Sequence, residues 1–469
     1  MNADRAALVA EHADQRFDAA VEELSGYLAI PAISCDPAHS GDVHLLATQI
    51  RDAFAELGLT KARLLELPDA LPCVAAEWMG AGPDAPTVLI YGHLDLQPVE
   101  EANWSSPPHT PEQRNGRLYA RGAADDMGGW VSHIAALRSW MAVAGGPPCN
   151  LRLLIEGEEE IGSPNLERFI DAFPEAFRAD VMILTDCENP SPELPGLTVS
   201  LRGLMELELT CAALEADVHS GLWGNMVPDP CLALVSLIGR LVDADGRLSL
   251  GRVFVPAQWS TDSRAVPLNE AVIRDGARLL DGVSPLPERG RPPAEWMWRQ
   301  PAITIVSTTL PSPAQKKNAI RSRASAILSV RLAPGQEPED LRPLIEAELL
   351  RDPPGGVKVT LTEGDHSGGS WLYEPKGPAF EAADRAYKRV WGAEMIRVGV
   401  GGSIPFVAIF GRRFGDLPLI LNGVMDPKTS AHGPDESMHL GIFRKAIAAN
   451  IYLLEELAAL GKAGLSADR

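Results

Sequence analysis

Residues 87–98 read TVLIYGHLDLQP. The first five are apolar, β-branched or aromatic, and this pattern predicts a buried strand. His93 and Asp95 follow two positions apart, and side chains at i and i+2 of an extended chain point to the same side, so the two are predicted to meet. A carboxylate that fixes an imidazole tautomer is typical of metal sites, but a satisfied structural histidine gives the same pattern. The pair alone leaves both interpretations open.

Length and charge limit the classes of protein to consider. The chain has 469 residues, more than one core usually supports, which predicts roughly two or three domain-sized units. Hydrophobic residues make up 45% and charged residues 22%, an ordinary globular composition. The formal net charge of −21, from 63 acidic and 42 basic residues, argues against nucleic acid or an anionic membrane as the main partner.

The cysteines and the amino terminus bear on the compartment. Six cysteines are scattered without C-x-x-C spacing, which favours reduced thiols over a disulfide framework. The amino-terminal segment carries charges throughout and has no apolar signal core. No apolar run approaches the roughly 20 residues that a membrane span needs. These features predict a soluble, cytoplasmic protein.

Strand-like and helix-like patterns alternate before residue 200. Helical spacing occurs at residues 129–142 and at 164–177, where Ser163 is the predicted cap. Short apolar runs lie before, between and after these helices, at residues 87–91, 150–155 and 179–184. Such alternation predicts an α/β layer with a largely parallel sheet, flanked by helices.

The alternation of strand-like and helix-like segments stops near residue 197 and resumes near residue 378. Between them the chain reads as strands and a helix of an α+β unit, at residues 197–213, 228–244, 326–334 and 357–364. Beyond lie a helical pattern at 379–392, a strand at 417–423 and a final helix at 434–460. We therefore predict a discontinuous catalytic domain (1–199 and 379–469) interrupted by an inserted α+β domain (200–378).

Further acidic residues and histidines lie at predicted strand ends or in small-residue turns. They are Asp125 with Asp126, the run Glu158 to Glu160, Asp186, and His432. Ligands of open parallel sheets bind at the carboxyl ends of the strands, so this placement is informative. Each group alone has a plain alternative, since paired aspartates often cap helices, glutamate runs are often solvated, and a lone histidine is often a surface residue.

Taken together, the groups predict a metal site. A two-metal hydrolytic centre needs about five oxygen or imidazole ligands around ions roughly 3.5 to 4 Å apart. The chain supplies that number with His93, Asp125, Glu160, Asp186 and His432. Glu159 is left over and is the candidate general base.

The motifs GHLDLQP, GRLYARGAADDMGG, EGEEEIGS, TDCE, DVHSG and SAHGPDE, in this order, cover residues 91–436. The chain resembles the dinuclear metallopeptidases that include cytosolic nonspecific dipeptidase, carnosinase, glutamate carboxypeptidase, aminoacylase and succinyl-diaminopimelate desuccinylase. The segments HSGLWGNMVPDP, SVRLAP and GGSIPF and the large insert are most similar to the dipeptidase branch. The resemblance implies a homodimeric enzyme that uses two divalent ions per subunit, zinc first, with manganese or cobalt as alternatives.

The resemblance also implies a role for each metal-site residue. Asp125 would bridge the ions, His93 and Asp186 would complete one site, and Glu160 and His432 the other. Asp95 would orient His93, and Glu159 would be the general base. A cis peptide bond is expected between Asp125 and Asp126.

The resemblance further implies an inserted domain that dimerises and covers the site. His219 would stabilise the oxyanion in the neighbouring subunit, and Arg331 would bind the free carboxylate of the substrate. Asn318, His366 and Ser403 would be further substrate contacts. Each has a structural alternative, as a satisfied histidine, a turn residue, an internal ion pair or a helix cap.

Two positions depart from the family pattern and bear on specificity. Met127 stands where a lysine commonly follows the aspartates, and Arg321 stands where a proline is usual. The expected activity is hydrolysis of dipeptides or related small peptides with a free C-terminal carboxylate. The alternatives are an N-acyl amino acid amidohydrolase and a non-catalytic metal-binding dimer on the same fold.

Overall fold

A computed structural model describes residues 3–255, 257–401, 405–415 and 417–465. The helices are α1 (Ala3–Gln15), α2 (Phe17–Leu28), α3 (Ser40–Glu56), α4 (Met127–Ala144), α5 (Leu166–Ala172), α6 (Pro174–Phe177), α7 (Ser220–Trp223), α8 (Pro230–Arg240), α9 (Ala257–Ala265), α10 (Glu270–Gly276), α11 (Pro293–Arg299), α12 (Pro338–Leu350), α13 (Pro378–Trp391), α14 (Pro405–Phe414) and α15 (Leu440–Leu465). In the described chain, no helix has both the length and the apolar character needed to span a bilayer.

The strands lie in several sheets. They are β1 (Thr60–Leu65), β2 (Cys73–Trp78), β3 (Thr87–His93), β4 (Glu112–Arg114), β5 (Arg117–Tyr119), β6 (Asn150–Glu156), β7 (Val181–Leu184), β8 (Gly196–Leu201), β9 (Gly203–Ala212), β10 (Val218–His219), β11 (Ala302–Thr308), β12 (Ala319–Ile320), β13 (Arg323–Leu332), β14 (Lys358–Gly368), β15 (Trp371–Leu372), β16 (Ile396–Val400), β17 (Leu419–Leu421) and β18 (Ser437–His439).

The largest sheet has the order β1-β2-β6-β3-β7-β17. Strands β6, β3, β7 and β17 run parallel, and β1 and β2 add an antiparallel edge. The predicted parallel layer is therefore confirmed. The carboxyl ends of its central strands open toward one edge of the sheet, where the candidate site lies.

Helices cover both faces of this sheet, as the alternation along β3 shows. Val88 and Ile90 pack into the core formed by helices such as α4 and α15. Leu89 and Tyr91 point the other way and pack into a second core with Phe406 of α14. Successive side chains of a strand face opposite sides, so an unbroken apolar run is what a sheet buried on both faces requires.

An antiparallel sheet of order β11-β13-β9-β14 forms the core of the inserted unit. Every second residue of β9, from Met205 to Cys211, packs with apolar side chains of α8 and α12. The alternate residues lie on the opposite, partly open face. An α/β fold interrupted by an α+β insertion is therefore confirmed, whereas the boundaries at residues 199/200 and 378/379 stay a prediction.

Two predicted helices differ from the structure. The helix predicted at 164–177 is divided into α5 and α6, because Pro174 cannot donate a backbone hydrogen bond to continue α5. Ser163 has a φ of 52° and is not the cap, a place that Asn165 takes. The helix predicted at 434–460 begins only at Leu440, because Ser437–His439 pair with β5 as strand β18.

His133 of α4 gives the fold a pH dependence that can be measured. It is 3% exposed, and burial lowers the pKa of His133 from 6.5 to about 3. The folded protein therefore favours the neutral imidazole, and its stability falls as the pH drops below 6.5. Between pH 6.5 and pH 5 we expect this residue alone to cost about 2 kcal/mol.

The measurement is urea unfolding of the wild type and of His133→Gln at pH 7.5, 6.5 and 5. The variant should lose less of its free energy of unfolding than the wild type over this range. Equal losses in the two proteins would contradict the assignment, because the remaining titrating groups are the same in both.

Candidate metal centre

The ends of three parallel strands bring the predicted acidic and imidazole groups together. His93 ends β3, Glu159 and Glu160 follow β6, and Asp186 follows β7. Asp125 joins them from the turn before α4, and His432 from the loop before β18. The structure thus assembles segments more than three hundred residues apart at one edge of the sheet.

One group of candidate ligands consists of His93, Asp125 and Asp186. Each offers a ligand atom, and these atoms lie within 4.8 Å of one another. His93 Nε2 is 3.2 Å from Asp125 Oδ1. All three residues are buried, and burial, followed by the charge of Asp125, raises the pKa of Asp186.

The second group consists of Asp125, Glu160 and His432. His432 Nε2 is 3.0 Å from Asp125 Oδ2 and 3.2 Å from Glu160 Oε2. Glu160 Oε1 is buried and has no hydrogen-bond partner among the described residues. An oxygen left without a partner in a buried place is what a cation would satisfy.

Asp125 belongs to both groups, and each of its oxygens faces a different histidine. Burial alone would raise the pKa of Asp125, but hydrogen bonds with His432 and His93 lower it, so this carboxylate is held ionised. The expected cis peptide bond between Asp125 and Asp126 is present. The arrangement fits a carboxylate that bridges two cations.

Asp95 connects the two groups in a way that the sequence did not indicate. Its backbone oxygen is 3.1 Å and its carboxylate 3.5 Å from Nδ1 of His93, so it contacts the imidazole as predicted. The same carboxylate accepts hydrogen bonds from the backbone N–H groups of Glu159 and Glu160 at 3.1 and 3.0 Å. Asp95 therefore contacts both His93 and the backbone of the turn that carries two other site residues.

Glu159 lies beside the ligand groups without being a member of either. Its side chain is 9% exposed, and no hydrogen bond or ion pair to it occurs among the described residues. Burial, followed by neighbouring carboxylates such as Glu160, raises the pKa of Glu159. A carboxylate in this position can accept and return a proton.

The donor set fits divalent cations. It combines carboxylate oxygens with two imidazole nitrogens, a mixture that suits zinc and the neighbouring transition metals. The side chains of Asp126 and Thr185 can approach the end of β3 closely because residue 92 is glycine. A Cβ added there would lie 2.5 Å from Asp126 Oδ2 and 2.7 Å from Thr185 Oγ1. His93, Asp125, Glu160, Asp186 and His432 are therefore candidate metal-binding residues.

The sequence profile of peptidase family M20/M25/M40 matches residues 89–456, which include every candidate ligand. The chain belongs to this family. The predicted resemblance is confirmed, and the protein is a metallopeptidase-type hydrolase.

Individual relatives place it near the dipeptidases. Cysteinylglycine-S-conjugate dipeptidase of Corynebacterium striatum is 34% identical over 422 residues, which cover 89% of this chain and 90% of that protein. Human Beta-Ala-His dipeptidase is 26% identical over 427 residues, covering 86% and 83%. The structure of the dipeptidase Dug1p from Saccharomyces cerevisiae superposes with a TM-score of 0.79 at 22% identity, covering 97% and 98%, and shows the shared fold.

Two predicted substrate contacts lie side by side on the inserted unit. His219 pairs with Ala319 in the two-stranded β10–β12 sheet. The backbone oxygen of Asn318 accepts a hydrogen bond from the backbone nitrogen of Ser220 at 3.1 Å. His219 and Asn318 are exposed, and among the described residues neither forms a hydrogen bond or an ion pair with a candidate ligand of its own chain. The structure thus brings these two together but leaves them apart from the metal centre.

Of the remaining predicted contacts, Arg331 has a described side chain, whereas His366 and Ser403 do not. Arg331 is half-buried on β13, on the open face of the four-stranded sheet. His366 lies on β14, but its side chain is outside the described residues, as is all of Ser403.

The two departures from the family pattern have structural roles. Met127 is fully buried at the start of α4 and packs into the main core. Arg321 donates to Asp217 at 3.2 Å, and Lys317 contacts the same carboxylate at 2.6 Å. Asp217 directly precedes β10, so Arg321 helps to fix the strand that carries His219.

A buried ion pair that sequence reasoning missed supports the Asp125 turn. Arg121 contacts Glu436 at 2.7 Å, and both side chains are nearly inaccessible. The second oxygen of Glu436 lies 3.3 Å from the backbone nitrogens of Ala124 and Asp125. The residues are 315 positions apart, so only the tertiary fold reveals their contact.

Removing one partner of the Arg121–Glu436 ion pair should destabilise the folded protein. Arg121→Met leaves the carboxylate of Glu436 buried without its cation, and we expect the free energy of unfolding to fall by about 3 to 5 kcal/mol. Arg412→Met is the control, because its partner Glu167 and Arg412 itself are both exposed, and it should cost less than about 1 kcal/mol. Urea unfolding of both variants measures the difference, and similar losses would refute the assigned role.

Proposed function

We propose that the protein hydrolyses the amide bond of dipeptides or related small peptides that carry a free C-terminal carboxylate. The observation that carries this proposal is the pair of ligand groups sharing Asp125, with Glu159 beside them but outside both. The names of the relatives, which are dipeptidases, support peptide substrates and do not favour the N-acyl amino acid alternative.

The catalytic residues have distinct tasks in this proposal. Two divalent cations, zinc first and manganese or cobalt as alternatives, would acidify water and polarise the scissile carbonyl when held by the candidate ligands. Glu159 accepts the proton of the attacking water and returns it to the leaving amine. Asp95 holds Glu159 in place through the backbone N–H group of that residue.

Recognition of the carboxylate is assigned to Arg331. Its guanidinium has no hydrogen bond or ion pair with any described residue, and burial lowers the pKa of Arg331. A partly buried cation without an internal partner favours an anionic ligand, and a guanidinium binds a carboxylate through two parallel hydrogen bonds. Asn318, His366 and Ser403 are proposed as additional substrate contacts.

The same proposal includes a homodimer formed through the inserted unit. Strand β11 is an edge strand whose Ile305 and Val306 are 47% and 54% exposed. Helix α8, which packs on the neighbouring strands β13 and β9, exposes Leu232 and Val235 at 70% and 56%. An exposed apolar edge strand and helix are typical of a subunit interface. Pairing there would carry His219 of one subunit toward the site of the other, where it would stabilise the oxyanion.

A cytoplasmic location is also proposed. All six cysteines are free, which agrees with a reducing compartment.

The decisive experiment combines metal analysis with a substrate panel. Purified protein is loaded with zinc, manganese or cobalt and incubated with free-amine dipeptides and with N-acetyl and N-succinyl amino acids. Mass spectrometry of the products should show dipeptide hydrolysis that a chelator abolishes. Faster turnover of the N-acyl compounds would favour the amidohydrolase, and no turnover with bound metal would favour the non-catalytic alternative.

A further inference from the structure

Arg202 is a second guanidinium close to Arg331. It lies between the end of β8 at Leu201 and the start of β9 at Gly203 and so joins the three-stranded sheet to the four-stranded one. Arg331 of β13 is directly opposite Leu204 of β9. Directly opposite side chains of an antiparallel pair share a face, so Arg331 lies on the Leu204 face of β9. Arg202 lies two positions before Leu204, just outside the strand, and besides burial the nearby charge of Arg331 lowers the pKa of Arg202.

The described contacts of Arg202 are with carbonyl oxygens, which carry no full negative charge. Nε donates to the backbone oxygen of Gly401 at 2.8 Å, and Nη1 to that of Gln300 at 3.3 Å. Within the described ranges no carboxylate is paired with Arg202 or with Arg331. Burial and then the charge of Arg331 lower the pKa of Arg202 to about 10.

Two adjacent cations without an acid between them repel each other and are poorly solvated. Buried charges in proteins are normally paired, so such a pair favours an anion from outside the chain. The carbonyl contacts of Arg202 also fix Gly401, at the start of the segment GGSIPF in which Ser403 is a proposed substrate contact. Arg202 is thus placed to act on the same end of the substrate as Arg331.

We propose that Arg202 is a specificity-determining residue, which supplies the second positive charge of a two-guanidinium site for the terminal carboxylate of the substrate. This inference rests on the proposed function, because it assigns a further residue to the same substrate group. In this role Arg202 makes the enzyme favour substrates that end in a carboxylate over uncharged analogues of the same shape.

The experiment compares alanylglycine with alanylglycine amide, which lacks the terminal charge. For each enzyme variant, kcat/KM is measured for both compounds, and the ratio of the two values is the readout. Arg202→Gln should lower this ratio about tenfold, mainly through a higher KM for alanylglycine, because one unit charge is lost near the carboxylate. Arg202→Lys, which keeps the charge, should stay within about threefold of the wild type.

Arg397→Gln is the matched control. Arg397 lies on the neighbouring strand β16 and faces Asp262 at 3.8 Å, so the variant removes the same charge from outside the arginine pair. Its ratio should equal that of the wild type. If Arg202→Gln does not fold, Arg202→Met is measured against the same tenfold criterion, since its side chain fills similar space.

The outcomes separate this inference from the proposed function. A ratio within threefold of the wild type in the neutral Arg202 variant overturns only the role of Arg202, provided that the wild type prefers alanylglycine. An equal fall in Arg397→Gln also overturns it, because any lost charge would then suffice. A metal-loaded wild type that cleaves no dipeptide overturns both.

Discussion

Glu159→Gln is expected to lower kcat by about three orders of magnitude or more while the metal content stays that of the wild type. The amide cannot accept the proton of the attacking water, and general acid–base catalysis typically contributes about 10²- to 10⁴-fold. Metal binding should persist because Glu159 belongs to neither ligand group. Steady-state hydrolysis of a dipeptide and elemental analysis of the same sample measure the two effects.

The neighbouring glutamates are the controls. Glu158 accepts hydrogen bonds from Leu71 N and Asn165 Nδ2, a structural role, so Glu158→Gln should keep most of the activity. Glu160→Gln should instead lose metal, because Glu160 belongs to a ligand group. Near-normal turnover of Glu159→Gln would refute its role as the base.

Asp125→Asn is expected to abolish activity and to reduce the metal content by at least half. The two oxygens of Asp125 face two different histidines, and an amide keeps only one oxygen and no charge. At least one cation therefore loses a ligand. Calorimetric titration of the chelator-treated protein with zinc measures both the stoichiometry and the affinity.

Asp435→Asn is the control for the loss of one acid near this site. Asp435 lies three residues after His432, but its carboxylate accepts hydrogen bonds from the backbone nitrogen and the hydroxyl of Ser105. The metal content of the Asp435→Asn variant should therefore equal that of the wild type. Full occupancy and unchanged affinity in Asp125→Asn would show that the carboxylate does not bridge two ions.

The sequence was sufficient to predict the candidate ligands, and the reason is topological. His93 and Asp186 follow apolar strands, and parallel strands deliver their carboxyl ends to one edge of a sheet. The convergence of these positions with Asp125 and His432 is thus a consequence of strand pattern and motif order. The cis peptide at Asp125 was expected from family resemblance, not from composition or spacing.

What the sequence did not reveal depends on long-range contacts. The hydrogen bonds from Glu159 and Glu160 to Asp95 join segments 64 and 65 positions apart, and no local pattern marks them. Strand β18 forms only because β5 offers it a partner, so a helical pattern there was misleading. That Arg202 has no acidic partner among the described residues became visible only when its hydrogen-bond partners were known to be carbonyl groups.

The exposed position of His219, away from the candidate ligands of its own chain, has a consequence for mixtures of defective subunits. If this imidazole serves the opposite protomer, a Glu159→Gln chain and a His219→Ala chain carry complementary lesions. A hybrid of the two would contain one site with both defects and one with neither. Co-refolding two inactive preparations should then regenerate turnover, whereas either preparation refolded alone should stay inert.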